Sequence, residues 1–354
     1  VVKTTITPDQ IRLDASTVCQ LKCPGCPTAS GEIAKFLKSG FVKFDDFKGL
    51  VDHNPWIKHI ELSNWGESLL NPQLLHILQY AHEKGVHLSL QNGANLNTVR
   101  PEVLEGLVKY QLRLISCSID GASPETYSAY RVRGDFNQVI GNIERINEFK
   151  RQYNSPYPEL NYQFVAFGHN EHEIQQARAL AERLKMKFRL KLSWDDFYGA
   201  PFSPVHDHEL ISRESGLGVA NRAEFKEKFG EAYLQKAICA DMWLAPQINF
   251  DGRVIGCCIN YWDDYGNAFR DGLLKILNSE RMRYTRRMLL GRAPERADIP
   301  CTTCKFYKAM KEKNSWIGRH DIGLPSRLHS AIRSVIPKGM RQAARRLASR
   351  YVRK

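Results

Sequence analysis

Between residues 11 and about 193, short apolar runs alternate with stretches whose apolar residues recur at helical spacing. The runs predict strands over 11–18, 57–62, 86–90, 112–119, 160–167 and 187–192. Between them, 72–83 places Leu74, Leu75 and Leu78 on one helical face, and 136–149 does the same with Val139, Ile143 and Ile146. Six such βα units predict a parallel sheet buried on both sides, with helices outside. Sites in sheets of this kind lie at the carboxyl ends of the strands. Residues 198–235 read as a connection with one helix over 222–234. After it come a hairpin turning at Asp251-Gly252 and a helical stretch over 273–290.

Composition adds to this picture in two places. The 354 residues are 43% apolar, enough for one large domain and a smaller one. The net charge of +13 is uneven: 323–354 holds nine Lys or Arg and no acid, leaving 42 basic against 38 acidic residues elsewhere. A body so close to neutral predicts no nucleic-acid partner. The tail predicts a basic amphipathic helix, with Met340, Ala344, Leu347 and Tyr351 at helical spacing, and a peripheral contact with an anionic membrane. A solvated basic extension is the alternative. No apolar run approaches the roughly 18 residues of a membrane span. VVKTTITPDQ has no signal-peptide apolar region, so the expected location is the cytoplasm, with the tail as a candidate contact with the inner face of the membrane.

Nine cysteines in a cytoplasmic protein suggest metal binding rather than a disulfide framework. Cys19, Cys23 and Cys26 form a C-x3-C-x2-C triplet just after the first strand. Three thiols so close cannot all pair, and the loop offers no nearby fourth Cys or His for tetrahedral zinc. Three thiolates can hold three irons of a [4Fe–4S] cluster and leave the fourth iron open. A partial zinc knuckle is the alternative. The triplet resembles the signature of the radical SAM superfamily, whose open iron binds S-adenosylmethionine (AdoMet). Gly25 stands where that family commonly has an aromatic residue.

The resemblance extends along the chain. Asn64-Trp65-Gly66-Glu67-Ser68 follows the second strand, where the family usually has Gly-Gly-Glu. It implies that Gly66 and Glu67 meet the amino group of AdoMet, although Trp65 replaces the first glycine. Read alone, these residues are an ordinary turn. Gln91-Asn92-Gly93 follows the third strand, and by resemblance Asn92 walls the AdoMet pocket. Ser116-Cys117-Ser118-Ile119-Asp120-Gly121, followed by Tyr130-Arg131-Val132-Arg133-Gly134-Asp135-Phe136, is similar to the "SIDG…YR" run of SPASM and twitch enzymes. Ser118 and Arg131 are thereby implied at the AdoMet sugar and carboxylate, with Arg133 as second choice for the latter. Cys117 reads as packing.

Asp195 and Asp196, past the last strand, are candidates for substrate binding or for a base, or else begin a solvated loop. His206 and His208 share a Pro-rich loop with no further ligand pattern and are not assigned to a metal.

A second cysteine group comprises Cys239, Cys257, Cys301 and Cys304, with Cys258 spare. Four thiolates can ligate a complete [4Fe–4S] cluster or structural zinc. Behind a barrel that resembles radical SAM enzymes, the spacing is similar to a SPASM or twitch domain with one auxiliary cluster. The expected architecture is an α/β partial (β/α)6 barrel over 1–197, a connection over 198–236, a twitch/SPASM-like domain over 237–322 and the tail over 323–354. The implied activity is reductive cleavage of AdoMet, with the resulting 5′-deoxyadenosyl radical taking hydrogen from a carbohydrate-like or polyhydroxylated small molecule or glycan. Alcohol oxidation is the first expectation, with the auxiliary cluster as electron acceptor and a flavodoxin or ferredoxin as donor. The alternatives are a redox-neutral sugar epimerase in which Cys258 returns hydrogen, and a peptide maturase. The peptide reading ranks lower because the chain starts almost at strand one.

Overall fold

Polar and apolar residues alternate along each of the six strands, and the alternation sets the sheet's two faces. The structure is a computed structural model, described over residues 2–194 and 198–322. Its strands are β1 (Gln10–Leu13), β2 (His59–Glu61), β3 (His87–Ala94), β4 (Leu114–Ser118), β5 (Glu159–Ala166), β6 (Lys187–Leu192), β7 (Gln247–Ile248) and β8 (Val254–Gly256). They form one sheet in the order β6-β5-β4-β3-β2-β1-β7-β8. The first six are parallel to their neighbours, as βα units require.

Ile11, Leu13, Ile60, Leu88, Leu90, Ile115, Tyr162 and Phe164 are buried against the helical layer. That layer contributes Ile77 and Leu78 from the helix Leu74–Glu83, and Val139, Ile143 and Ile146 from Phe136–Gln152. Each such side chain, once buried, contributes about 1.5–3 kcal/mol. The opposite face is polar. Arg12, Glu61 and Ser89 are in register across β1, β2 and β3. Ser116 pairs with Asn161, and Ser118 with Gln163, across β4 and β5. The helices are therefore outside and a polar lumen is inside. This is a partial (β/α)6 barrel whose sheet is buried on both sides, as expected, although only its outer face is apolar.

Side-chain caps place the helices around the "SIDG…YR" run. Ser123 accepts from the Thr126 N–H at 3.2 Å, with Pro124 at the first helical position. Asp135 likewise accepts from Gln138 N–H at 3.1 Å and starts Phe136–Gln152.

β7 adds parallel to β1, pairing Gln247 with Arg12 and Ile248 with Leu13, and β8 turns back on it. The hairpin of the second half thus extends the barrel's own sheet. Two predicted helices are broken. The stretch 273–290 divides into Leu273–Leu277 and Glu280–Leu289, because Ser279 caps the second by accepting from Met282 N–H at 3.3 Å. The helix from Arg222 stops at Phe229, where Gly230 (φ 71°) takes the left-handed conformation, and Cys239 lies on a new helix, Gln235–Leu244. Among the described residues no helix is long and apolar enough to cross a membrane. Asp195, Asp196 and the tail lie outside the described residues.

Candidate active site

Leaving β1 at Leu13, the chain forms the loop that carries Cys19, Cys23 and Cys26. Cys23 is buried and the other two are half-buried. They pack with Leu21, Tyr130, Phe167, Tyr198 and Phe202. Two donors aim at sulfur: Asn95 Nδ2 lies 3.8 Å from Cys19 Sγ, and Arg131 Nη1 lies 3.7 Å from Cys23 Sγ. Burial pushes the Cys19 thiol up to about 12, with Glu67, Cys23 and Cys26 adding to the shift. Burial also raises Cys23, and Arg131 opposes it. Three converging thiols that resist ionisation in isolation suit a cationic iron cluster, which stabilises thiolates.

Around this loop lie the residues that resemblance assigns to AdoMet. A Cβ on Gly66 would collide with the Ser16 carbonyl, so only glycine brings this turn against the cysteine loop. Glu67 is buried, and its carboxylate accepts from the N–H groups of Leu69 (3.0 Å) and Asn95 (2.6 Å). Burial raises its pKa to about 7 against those bonds. The Trp65 ring stands edge-on to Tyr261 at 5.6 Å, and Thr28 Oγ1 donates to the Trp65 carbonyl. Trp65 therefore links the cysteine loop to the second half. Asn92 N–H donates to Ser63 Oγ at 3.0 Å, and its side-chain Nδ2 donates to Asn64 Oδ1 at 3.2 Å. Ser118 Oγ accepts from Gln163 Nε2 at 3.3 Å and lies 2.5 Å from where a Gly93 Cβ would be. Arg131 forms an ion pair with buried Asp120 and lies over the Tyr130 ring at 5.0 Å.

The second cysteine group converges as well. Cys239, Cys257, Cys301 and Cys304 line one cavity, together with Met242, Ile255, Tyr265 and Leu289. Burial drives the Cys239 thiol well above its ordinary range, and Cys257, Cys301 and Cys304 push it further. Among the described residues no three Cys, His, Asp or Glu side chains close on a single metal ion. Four thiols lining one cavity suit either a four-thiolate iron–sulfur cluster or structural zinc by ligand type. Cys258 does not line the cavity. Burial raises its thiol to about 11, partly offset by Arg12, with Asp241 and Asp14 nearby.

The sequence reading missed the lumen. Glu61 accepts from Ser89 Oγ (2.6 Å), Gln91 N–H (2.7 Å) and Asn92 N–H (3.2 Å), and also holds Ser63. Arg12 Nε donates to Gln247 Oε1 at 2.9 Å. Lys191 donates to Gln163 Oε1. The signal was present in the two-residue period of IRLD, HIELS, HLSLQ and FRLKL, where polar residues recur on the inner face. His206 and His208 bond separately, to Glu171 and Glu224.

Comparison with known proteins agrees with this geometry. The family model of the radical SAM superfamily matches residues 14–180, and that of the SPASM iron–sulfur cluster-binding domain matches 239–305. An AdoMet-dependent heme synthase of Methanosarcina barkeri is 29% identical over 165 residues, which are 46% of this chain and 46% of that protein. The match thus spans under half the length of this relative. Among solved structures, Streptococcus suis SuiB bound to S-adenosylmethionine superposes with a TM-score of 0.58 at 13% identity, over 85% of this chain and 72% of that one. Native anSMEcpe with bound AdoMet gives 0.54 at 14% identity, over 85% and 88%. Barrel, cysteine loop and second cysteine group thus lead to one conclusion: the chain carries a radical SAM domain followed by a SPASM iron–sulfur domain, with AdoMet and iron–sulfur clusters as its cofactors.

Proposed function

We propose that the protein oxidises an alcohol of a carbohydrate-like or other polyhydroxylated small molecule. In this reading Cys19, Cys23 and Cys26 hold the AdoMet-binding cluster, and Cys239, Cys257, Cys301 and Cys304 hold one auxiliary cluster. When bound, AdoMet at a three-thiolate cluster supplies hydrogen-atom abstraction, and a four-thiolate cluster supplies an electron acceptor. The observation that carries the proposal is the shared cavity of the four cysteines, with Cys258 outside it. Four protein thiolates leave no iron free to bind substrate, so electron acceptance is the remaining role.

The other roles belong to the chain's own groups. Gly66 brings the turn after β2 against the cysteine loop, and Asn92 and Ser118 border the same mouth. Arg131 donates towards the Cys23 sulfur while Asp120 holds its guanidinium in place. The lumen offers paired donors and acceptors to hydroxyl groups through Ser89, Ser116, Asn161 and Gln163, all largely shielded from water. Asp195 and Asp196 remain candidates for the proton acceptor. The test is mass spectrometry of reactions with carbon-deuterated polyols and sugars. Deuterium in 5′-deoxyadenosine together with a product two mass units below the unlabelled alcohol supports oxidation.

One observation favours a second reading. Cys258 lies beside Arg12, away from the cavity, where a thiol could return hydrogen to a substrate radical in a redox-neutral epimerisation. A peptide substrate is suggested by the solved complex of SuiB with its precursor peptide SuiA. We rank it third, because the small polar groups of the lumen suit a small polyhydroxylated molecule.

A further inference from the structure

Along β6, Phe188, Leu190 and Leu192 pack on the helical side, which turns Lys191 into the lumen. Its ammonium donates to Gln163 Oε1, and Gln163 Nε2 passes the contact on to Ser118 Oγ at 3.3 Å. Gly93, whose missing side chain leaves room beside Ser118, ends the row on β3. A continuous polar line therefore crosses three neighbouring strands at the barrel's mouth, with a cation at its end.

Among the described residues that cation has no counterion: no carboxylate lies within ion-pair distance of Lys191 Nζ. The acid nearest in effect, Asp120, is already committed: Oδ1 accepts from the Val165 N–H at 2.7 Å, and Oδ2 pairs with Arg131. Glu61 acts on Lys191 only at longer range and is occupied by four donors. Burial lowers the lysine pKa to about 8, so the group is still mostly charged at neutral pH. A half-buried ammonium held only by a neutral amide oxygen is costly, and an aliphatic residue would fill the position without that cost.

We propose that Lys191 anchors an oxyanion of the substrate, a carboxylate or a phosphate monoester, so that the substrate is an acidic polyhydroxylated molecule. This rests on the functional reading above. Gln163 orients the lysine and Ser118 orients Gln163, so the oxyanion would sit beside the AdoMet-facing serine with the sugar hydroxyls reaching into the lumen.

The test uses the full chain loaded with its clusters, with and without AdoMet. Acetylation of Lys191 is followed by peptide mapping in the presence of D-glucuronate, D-glucose 6-phosphate or D-glucose. At least one of the two acids is expected to slow labelling by roughly fivefold or more and the neutral sugar not at all; the better acid tells carboxylate from phosphate. Lys191→Met should weaken binding of the protecting sugar roughly tenfold or more, as loss of a charged hydrogen bond implies, and Lys191→Arg should recover most of it. Equal protection by glucose, or protection by neither acid, overturns the proposal. Full protection by AdoMet alone overturns it too, because the oxyanion would then be the cofactor's own carboxylate. Deuterium transfer from a carbon-deuterated neutral polyol to 5′-deoxyadenosine tests the functional reading separately, because it does not depend on an oxyanion.

Discussion

Asn64 Nδ2 donates to the Cys258 carbonyl at 3.0 Å, joining the turn after β2 to the dipeptide after β8. The two halves of the chain therefore meet at the two features that resemblance would place at AdoMet and at the auxiliary cluster. The bond also helps to explain why adjacent cysteines differ: Cys257 faces the cavity while Cys258 lies beside Arg12.

Cys258→Ala should keep the iron content of the parent, whereas Cys257→Ala should lower it. Iron and sulfide analysis of both purified variants checks this. If Cys258→Ala keeps its iron and still cleaves AdoMet but loses turnover, the epimerase reading moves ahead. Unchanged turnover keeps oxidation first.

Gly66→Ala should destabilise the protein by roughly 1–3 kcal/mol through overpacking against the backbone at Ser16. Urea unfolding of the metal-free protein measures it without reference to activity. A variant as stable as the parent would mean that the turn does not approach the cysteine loop this closely.

Arg131→Met leaves Asp120 buried without its partner and should cost roughly 3–5 kcal/mol. The double variant with Asp120→Asn should recover much of that loss, because the stranded charge is gone. Denaturation of the single and double variants reads the coupling directly.

Burial raises the Asp14 carboxyl from 3.8 to about 7, although the Arg12 guanidinium opposes the shift. The folded state therefore holds this proton more tightly than the unfolded chain. The stability it contributes is fully present below the unfolded pKa and is lost as pH rises from about 4 to about 7. Each tenfold difference in proton affinity between the two states is worth about 1.4 kcal/mol. Asp14→Asn should flatten this decline in the metal-free protein and be more stable than the parent at pH 8. A parent stability that does not fall across this interval, or a variant that falls in parallel, contradicts the assignment.

Most of the architecture was legible because parallel βα units leave a strong periodic signal, and β6 was predicted with the bounds it has. The lumen was harder to see. The apolar residues of β1, Ile11 and Leu13, mark it as a strand, while a single Arg12 between them does not by itself show that its face lines a lumen. Helix breaks at Ser279 and Gly230 depend on single capping residues, which an apolar pattern passes over. The four-cysteine cavity draws on a helix, a hairpin and a short turn, so the spacing named Cys257 with Cys258 spare but not the surroundings of the site. Lys191 was hidden for another reason: a lone lysine on a strand reads as a solvent-facing residue until the opposite face is known to be packed.

In the proposed function the triplet after β1 holds the cluster at which AdoMet is cleaved. The most direct measurement compares the parent with a variant in which Cys19, Cys23 and Cys26 are all Ala, by iron and sulfide content and by 5′-deoxyadenosine formed under reducing conditions. By ligand count the parent should hold about eight irons and the variant about four. The variant should make no 5′-deoxyadenosine, while a triple variant that still makes it would contradict the account.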